Sequence, residues 1–69
     1  RQNQTEEAIR YIDTAISLNP ENPFYHEHLG ELLLHAGKTE DAIRHLHRSR
    51  ELGSQSPRLM SLLKEASRQ

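Results

Sequence analysis

The chain has 69 residues, no cysteine, a formal net charge of −1 and 33% hydrophobic residues. That length holds at most one small domain with a modest core. The composition excludes disulfides and thiol chemistry, and the balanced charge gives no global basic field to draw nucleic acid.

Mean hydropathy is −0.88, and no apolar run approaches the length of a membrane span. The expectation is a soluble chain without membrane insertion. Its composition leans to the cytoplasm without deciding the compartment. The three aromatic residues, Tyr11, Phe24 and Tyr25, are too few for a base-stacking platform. No signal peptide is visible in the opening RQNQTEEAIR, which reads as a piece of something longer.

Pro and Gly punctuate the rest. Thr5 to Leu18 reads as a first helix, with Ala8, Ile9, Ile12, Ala15 and Ile16 on one broad apolar stripe. Glu6 and Glu7 sit in its first turn, where the helix dipole favours negative charge, and Asn19-Pro20 stops it. Asn22-Pro23 starts a second helix, because Asn caps and Pro is tolerated where the N–H is unpaired anyway. Leu29, Leu32 and Leu33 mark its buried face, with Tyr25 and His26 one turn earlier, and Ala36-Gly37 ends it. Thr39 to Leu52 is the third helix, with Ala42, Ile43, Leu46 and Ser49 turned inward and Gly53 as its stop. Ser56-Pro57 repeats the cap-and-proline start of a fourth, over 57–68, where Leu59, Leu62, Leu63 and Ala66 share a face. Four helices and no strand signal predict an all-α fold of antiparallel helix pairs.

The stretch HEHLGELLLH, His26 to His35, carries three histidines and two glutamates. A zinc-protease helix needs histidines four apart, so that both imidazoles reach one metal. The residue four after His26 is Gly30. His28, Glu31 and His35 share a face, but one helix supplies them all and no fourth group is fixed beside them. No metal site and no cofactor are expected.

TEEAIRYIDTAISL (Thr5 to Leu18) aligns with TEDAIRHLHRSREL (Thr39 to Leu52) at an offset of 34 residues. Thr, Glu, Ala, Ile, Arg and Leu recur at equivalent positions, and the same offset relates Pro23 to Pro57, Leu29 to Leu63 and Glu31 to Glu65. A period of this length, holding one helix pair, marks a helical solenoid. With His26, Leu29, Gly30 and Leu33, then Ala42 and Leu46, in the frame W-x2-L-G-x2-Y … A-x3-F, the chain resembles the tetratricopeptide repeat family. Ala8, Ile12 and Pro20 fit the partial first copy, and Met60, Leu63 and Lys64 stand in the third. The departures are His26 for the large aromatic, Leu33 for Tyr, Ser54 for the closing Pro, and Lys64 for the glycine. The resemblance divides the single 1–69 fragment into the second half of a repeat (5–22), one complete repeat (23–56), and a first or capping helix (57–69). It places Gly30 at the tight crossing of a helix pair, and His26 between helices as a half-buried side chain with one hydrogen bond.

The resemblance implies a non-catalytic protein-interaction scaffold, with a peptide or extended protein segment lying in a concave groove lined by the first helix of each pair. Carried over position by position, the groove residues are Phe24, Glu27, His28, Glu31, Leu34 and His35. The last helix adds Arg58, Ser61, Leu62 and Glu65. Chaperone-binding members of the family clamp a peptide's terminal carboxylate with Lys and Asn. Here Glu27, His28 and Glu31 hold those places with the wrong sign, so a basic or mixed-charge ligand is expected, with Glu27, Glu31 and Glu65 as acceptors. A second expectation is self-association into a homo-oligomer through the terminal helices, since the partial first repeat leaves Ile9, Ile12 and Ile16 uncovered on one side. Catalysis is not expected: the chain has no cysteine, no nucleophile-elbow context and no glycine-rich phosphate loop.

Overall fold

A computed structural model describes residues 2–68, and the side chains of residues 4–68. It contains four helices, α1 (Gln2–Leu18), α2 (Pro23–His35), α3 (Thr39–Glu51) and α4 (Pro57–Ser67), and no strand among the described residues. The first helix begins three residues before its expected start at Thr5, because nothing in QNQT breaks a helix.

The boundaries follow from local chemistry. Asn22 accepts the Phe24 backbone N–H on its side-chain oxygen at 2.9 Å, and Pro23 takes the first helical position of α2. Ser56 does the same for α4, accepting from the Leu59 N–H at 3.0 Å ahead of Pro57. At the end of α2, Gly37 turns left-handed (φ 79°), so that its N–H donates to the Leu34 carbonyl and the Lys38 N–H to the Leu33 carbonyl. Two carbonyls that the helix would leave unpaired are thereby satisfied. Gly53 ends α3 in the same way.

Helix α2 is central and packs on α1, α3 and α4. Helix α3 also packs on α4, whereas α2 is the sole helical neighbour of α1 among the described residues. The slab is thin, 31 × 30 × 17 Å over its Cα atoms, which is about two layers of helices. Its core joins Ile12 of α1, Leu29, Leu33 and Leu34 of α2, Ala42 and Leu46 of α3, and Leu59, Leu62 and Ala66 of α4. At the centre α2 and α3 cross at Gly30. A Cβ there would lie 2.5 Å from Leu46 Cδ2 and 3.3 Å from the Ala42 carbonyl oxygen, so only glycine permits this approach.

Three expectations about burial are corrected. Leu34 and Leu62, expected to line the groove, are core residues, because α2 packs on α4 and both side chains join the buried cluster. Glu27, also expected in the groove, is buried under the α3–α4 connection. Ile12 is covered by the chain itself, since it sits on the face that α1 packs against α2, and Ile9 and Ile16 lie half-buried against the same core.

Candidate binding face

Helix α2 presents Phe24, His28, Glu31 and His35 at i, i+4, i+7 and i+11, which is one continuous line along a helix. Phe24, His28 and His35 are exposed and Glu31 is half-buried. Helix α4 presents Arg58, Ser61 and Glu65 at i, i+3 and i+7, all exposed. The two lines are joined at Glu31, whose Oε1 pairs with the Arg58 guanidinium and has His28 Nδ1 at 3.8 Å. A depression of about 300 Å³ lined by Ser61, Lys64, Glu65 and Arg68 continues the face along α4. Seven of the ten residues expected in the groove therefore share one surface, and Glu27, Leu34 and Leu62 do not.

The pairing of Glu31 changes the electrostatics. A carboxylate held by a guanidinium has less attraction left for a ligand's cation. The acidic character expected from Glu27, Glu31 and Glu65 contracts to Glu65, and the face is of mixed sign. Among the described residues no three His, Asp or Glu side chains converge in a way that could hold a metal ion.

Glu27 has a different task. It is 4% exposed, and its Oε1 accepts from Ser54 Oγ at 3.3 Å and from Ser56 Oγ at 3.0 Å. Ser56 is also the cap of α4, so Glu27 fixes where α4 starts relative to α2. A buried carboxylate is tolerable only with such donors. The signal was available in the sequence as two serines flanking Gln55 ahead of Pro57, but nothing in it paired them with Glu27.

The His26 side chain is more deeply engaged than expected. It is 6% exposed and uses both ring nitrogens, Nε2 at 2.8 Å from the Pro20 carbonyl oxygen and Nδ1 at 3.2 Å from His45 Nδ1. Ser49, fully buried on α3, donates its hydroxyl to the Pro23 carbonyl at 2.7 Å. Sequence reasoning missed two exposed apolar residues as well: Tyr11 (83% exposed) and Leu18 (82%), seven apart on α1.

Helices paired in antiparallel fashion, crossing at a glycine and repeating after 34 residues are what one family is built from, and the family model named Tetratricopeptide repeat matches residues 1–66. The chain belongs to the tetratricopeptide repeat family. No curated protein and no solved structure matches it. Tetratricopeptide repeats are generally protein-interaction modules and typically non-catalytic scaffolds. No helix among the described residues is long and apolar enough to cross a membrane.

Proposed function

We propose that this tetratricopeptide chain holds an extended peptide or protein segment along the face made by α2 and α4. The observation that carries the reading is Phe24, 63% exposed at the head of the α2 line, with the Glu31–Arg58 pair further along the same surface. An exposed aromatic beside ordered polar groups is a contact for an apolar side chain. The mixed signs of Lys64, Glu65 and Arg68 along α4 and its cap suit a segment that carries both charges. Phe24 is the anchor, Arg58 and Glu65 set the register, and Glu27 acts at a distance by placing α4. Peptides selected for binding to the chain test this by their effect on its backbone amide NMR signals. Shifts concentrated on α2 and α4, and an affinity reduced about tenfold or more by Phe24→Ala, are expected. Shifts confined to α1 and α3 overturn the reading.

Self-association is the second reading, carried by Tyr11 and Leu18. The occupant of that face is α4 of a second copy. Helix α1 carries Glu6, Glu7 and Asp13 against Arg10, whereas α4 and its cap carry Arg58, Lys64 and Arg68 against Glu65. The charges are complementary, and α4 offers the exposed Met60 as an apolar partner. Such a contact runs head to tail and does not close on itself unless its rotation makes a ring.

A further inference from the structure

The His26–His45 contact belongs neither to the binding face nor to the apolar core, and its hydrogens can be assigned by elimination. The Pro20 carbonyl only accepts, so His26 Nε2, 2.8 Å away, must carry a hydrogen. A neutral His26 is then bare at Nδ1. For the 3.2 Å contact to be a hydrogen bond, His45 Nδ1 must donate to it. The ring planes differ by 18° and the centroids are 5.5 Å apart, well beyond the 3.2 Å between the facing nitrogens. The rings therefore meet edge to edge, with one hydrogen between two nitrogens, and do not lie face over face.

That arrangement suits a proton. Among the described residues no third His, Asp or Glu side chain converges with the two imidazoles in a way that could hold a metal ion.

The pair can accept one proton without losing its bond. The proton goes to His45 Nε2, while Nδ1–H goes on donating to His26. A second proton puts an N–H on each facing nitrogen, with no acceptor between them and two positive charges in a partly buried site. Burial, first, and the neighbouring His26, second, hold the His45 pKa below its ordinary 6.5. Asp13 from α1 and Asp41 from α3 pull the other way, and Arg44 on α3 adds a further push downward. Two carboxylates are thus at hand to stabilise the first charge, and the geometry disfavours the second.

We propose that His26 and His45 form a one-proton latch that ties the α1–α2 connection, through Pro20, to α3, and that opens when both imidazoles become charged. On opening, the half-exposed His45 swings toward solvent and its aspartates, and His26 is left with Pro20 alone. The bond lost joins the first turn of α2 to α3, so the His26 end of that helix pair loosens in acid while the His26–Pro20 bond to the α1–α2 connection is kept. The Gly30 crossing and the Ser49–Pro23 bond carry no titrating group, so α2 and α3 stay paired.

The sign follows from the lowered His45 value. Above the ordinary histidine value the folded and unfolded chains are both neutral at His45, and the stabilisation is complete. As pH falls from there through the lowered folded value, the unfolded chain takes up its proton first and stability is lost.

The test has two arms. Imidazole nitrogen NMR on the unmodified chain at neutral pH should find the hydrogen of His26 on Nε2 and that of His45 on Nδ1. Hydrogen on His26 Nδ1 at neutral pH overturns the proposal without any variant. In the second arm, denaturant unfolding is followed from pH 7.5 down to 5 for the chain, for His45→Gln and for the exposed-site control His47→Gln. Below 6.5 the unfolding constant should rise with acid up to about tenfold per pH unit more steeply in the chain and in His47→Gln than in His45→Gln, the signature of one linked proton. Equal slopes in all three overturn it. In the chain, amide shifts that move with acid should cluster at residues 19–26 and around His45. Spread evenly over the four helices, they would mean ordinary acid unfolding and no latch.

Discussion

Helices α1 and α3 occupy equivalent places in two copies of one repeat, and they differ in what surrounds them. Ala42, Leu46 and Ser49 of α3 are fully buried, whereas their equivalents on α1 are the half-buried Ala8, Ile12 at 8% exposure and the half-buried Ala15. His45 is half-buried against His26, while Tyr11, 34 positions earlier, projects into solvent. Leu52 is half-buried, and its equivalent Leu18 is exposed. The sequences of the two helices are close enough that either could be buried. What differs is that α3 has both α2 and α4 against it, and α1 has α2. In a stacked-repeat protein, burial is a property of the neighbour as much as of the helix.

The largest expected effect tests that statement directly. Leu46→Ala removes a fully buried side chain from between α2 and α4 and should cost about 2–5 kcal/mol. The equivalent Ile12→Ala, with less structure around the void, should fall at the low end, about 2 kcal/mol. Denaturant unfolding of both variants decides it. Equal losses would show that α1 is as well supported as α3.

A smaller effect sharpens the same comparison one helix along. Gly30 and Lys64 are equivalent, yet Gly30 is buried against Leu46 and Lys64 is exposed. Gly30→Leu should push α2 and α3 apart and cost about 1–3 kcal/mol, as overpacking does. Lys64→Leu should move stability by no more than about 0.5 kcal/mol, because Lys64 is exposed and no described helix crosses α4 there. A melting temperature unmoved by Gly30→Leu would contradict the crossing.

This contrast also shows how far the sequence could be read. The helices and their caps at Asn22-Pro23 and Ser56-Pro57 were legible because each depends on neighbours in sequence, and the glycine crossing because the family resemblance implied its place. The candidate binding face was legible in part. Phe24, His28, Glu31 and His35, implied by the family resemblance, share one line of α2, but Leu34 and Leu62 lie where the contact of α2 with α4, and Glu27 where the α3–α4 connection, decides between solvent and core. Spacing within one helix does not carry that information. The Glu27 bonds to Ser54 and Ser56 and the His26 contact with His45 were illegible for the same reason, since each joins side chains 19 to 29 residues apart. The Ile stripe of α1 is the side that α2 covers, with Ile12 buried and Ile9 and Ile16 half-buried, and the exposed Tyr11 and Leu18 sit around the helix from it.

The smallest expected change in stability separates the two readings of function. Tyr11→Gln with Leu18→Gln replaces two exposed apolar side chains by a good helix former, so folding stability should shift by no more than about 0.5 kcal/mol per site. If that face receives α4 of a second copy, the chain should gain mass with concentration in sedimentation, and the double variant should not. The association should also weaken with added salt, because the acidic α1 and the basic α4 then attract through screened charges. Peptide binding at Phe24 should be untouched in the same variant, since Phe24 is on α2. A chain that stays monomeric at every concentration, with the variant indistinguishable from it, removes the self-association reading and leaves α1 a bare flank beside a working α2–α4 face. Loss of peptide binding in the double variant would instead move the site to α1 and remove the groove reading.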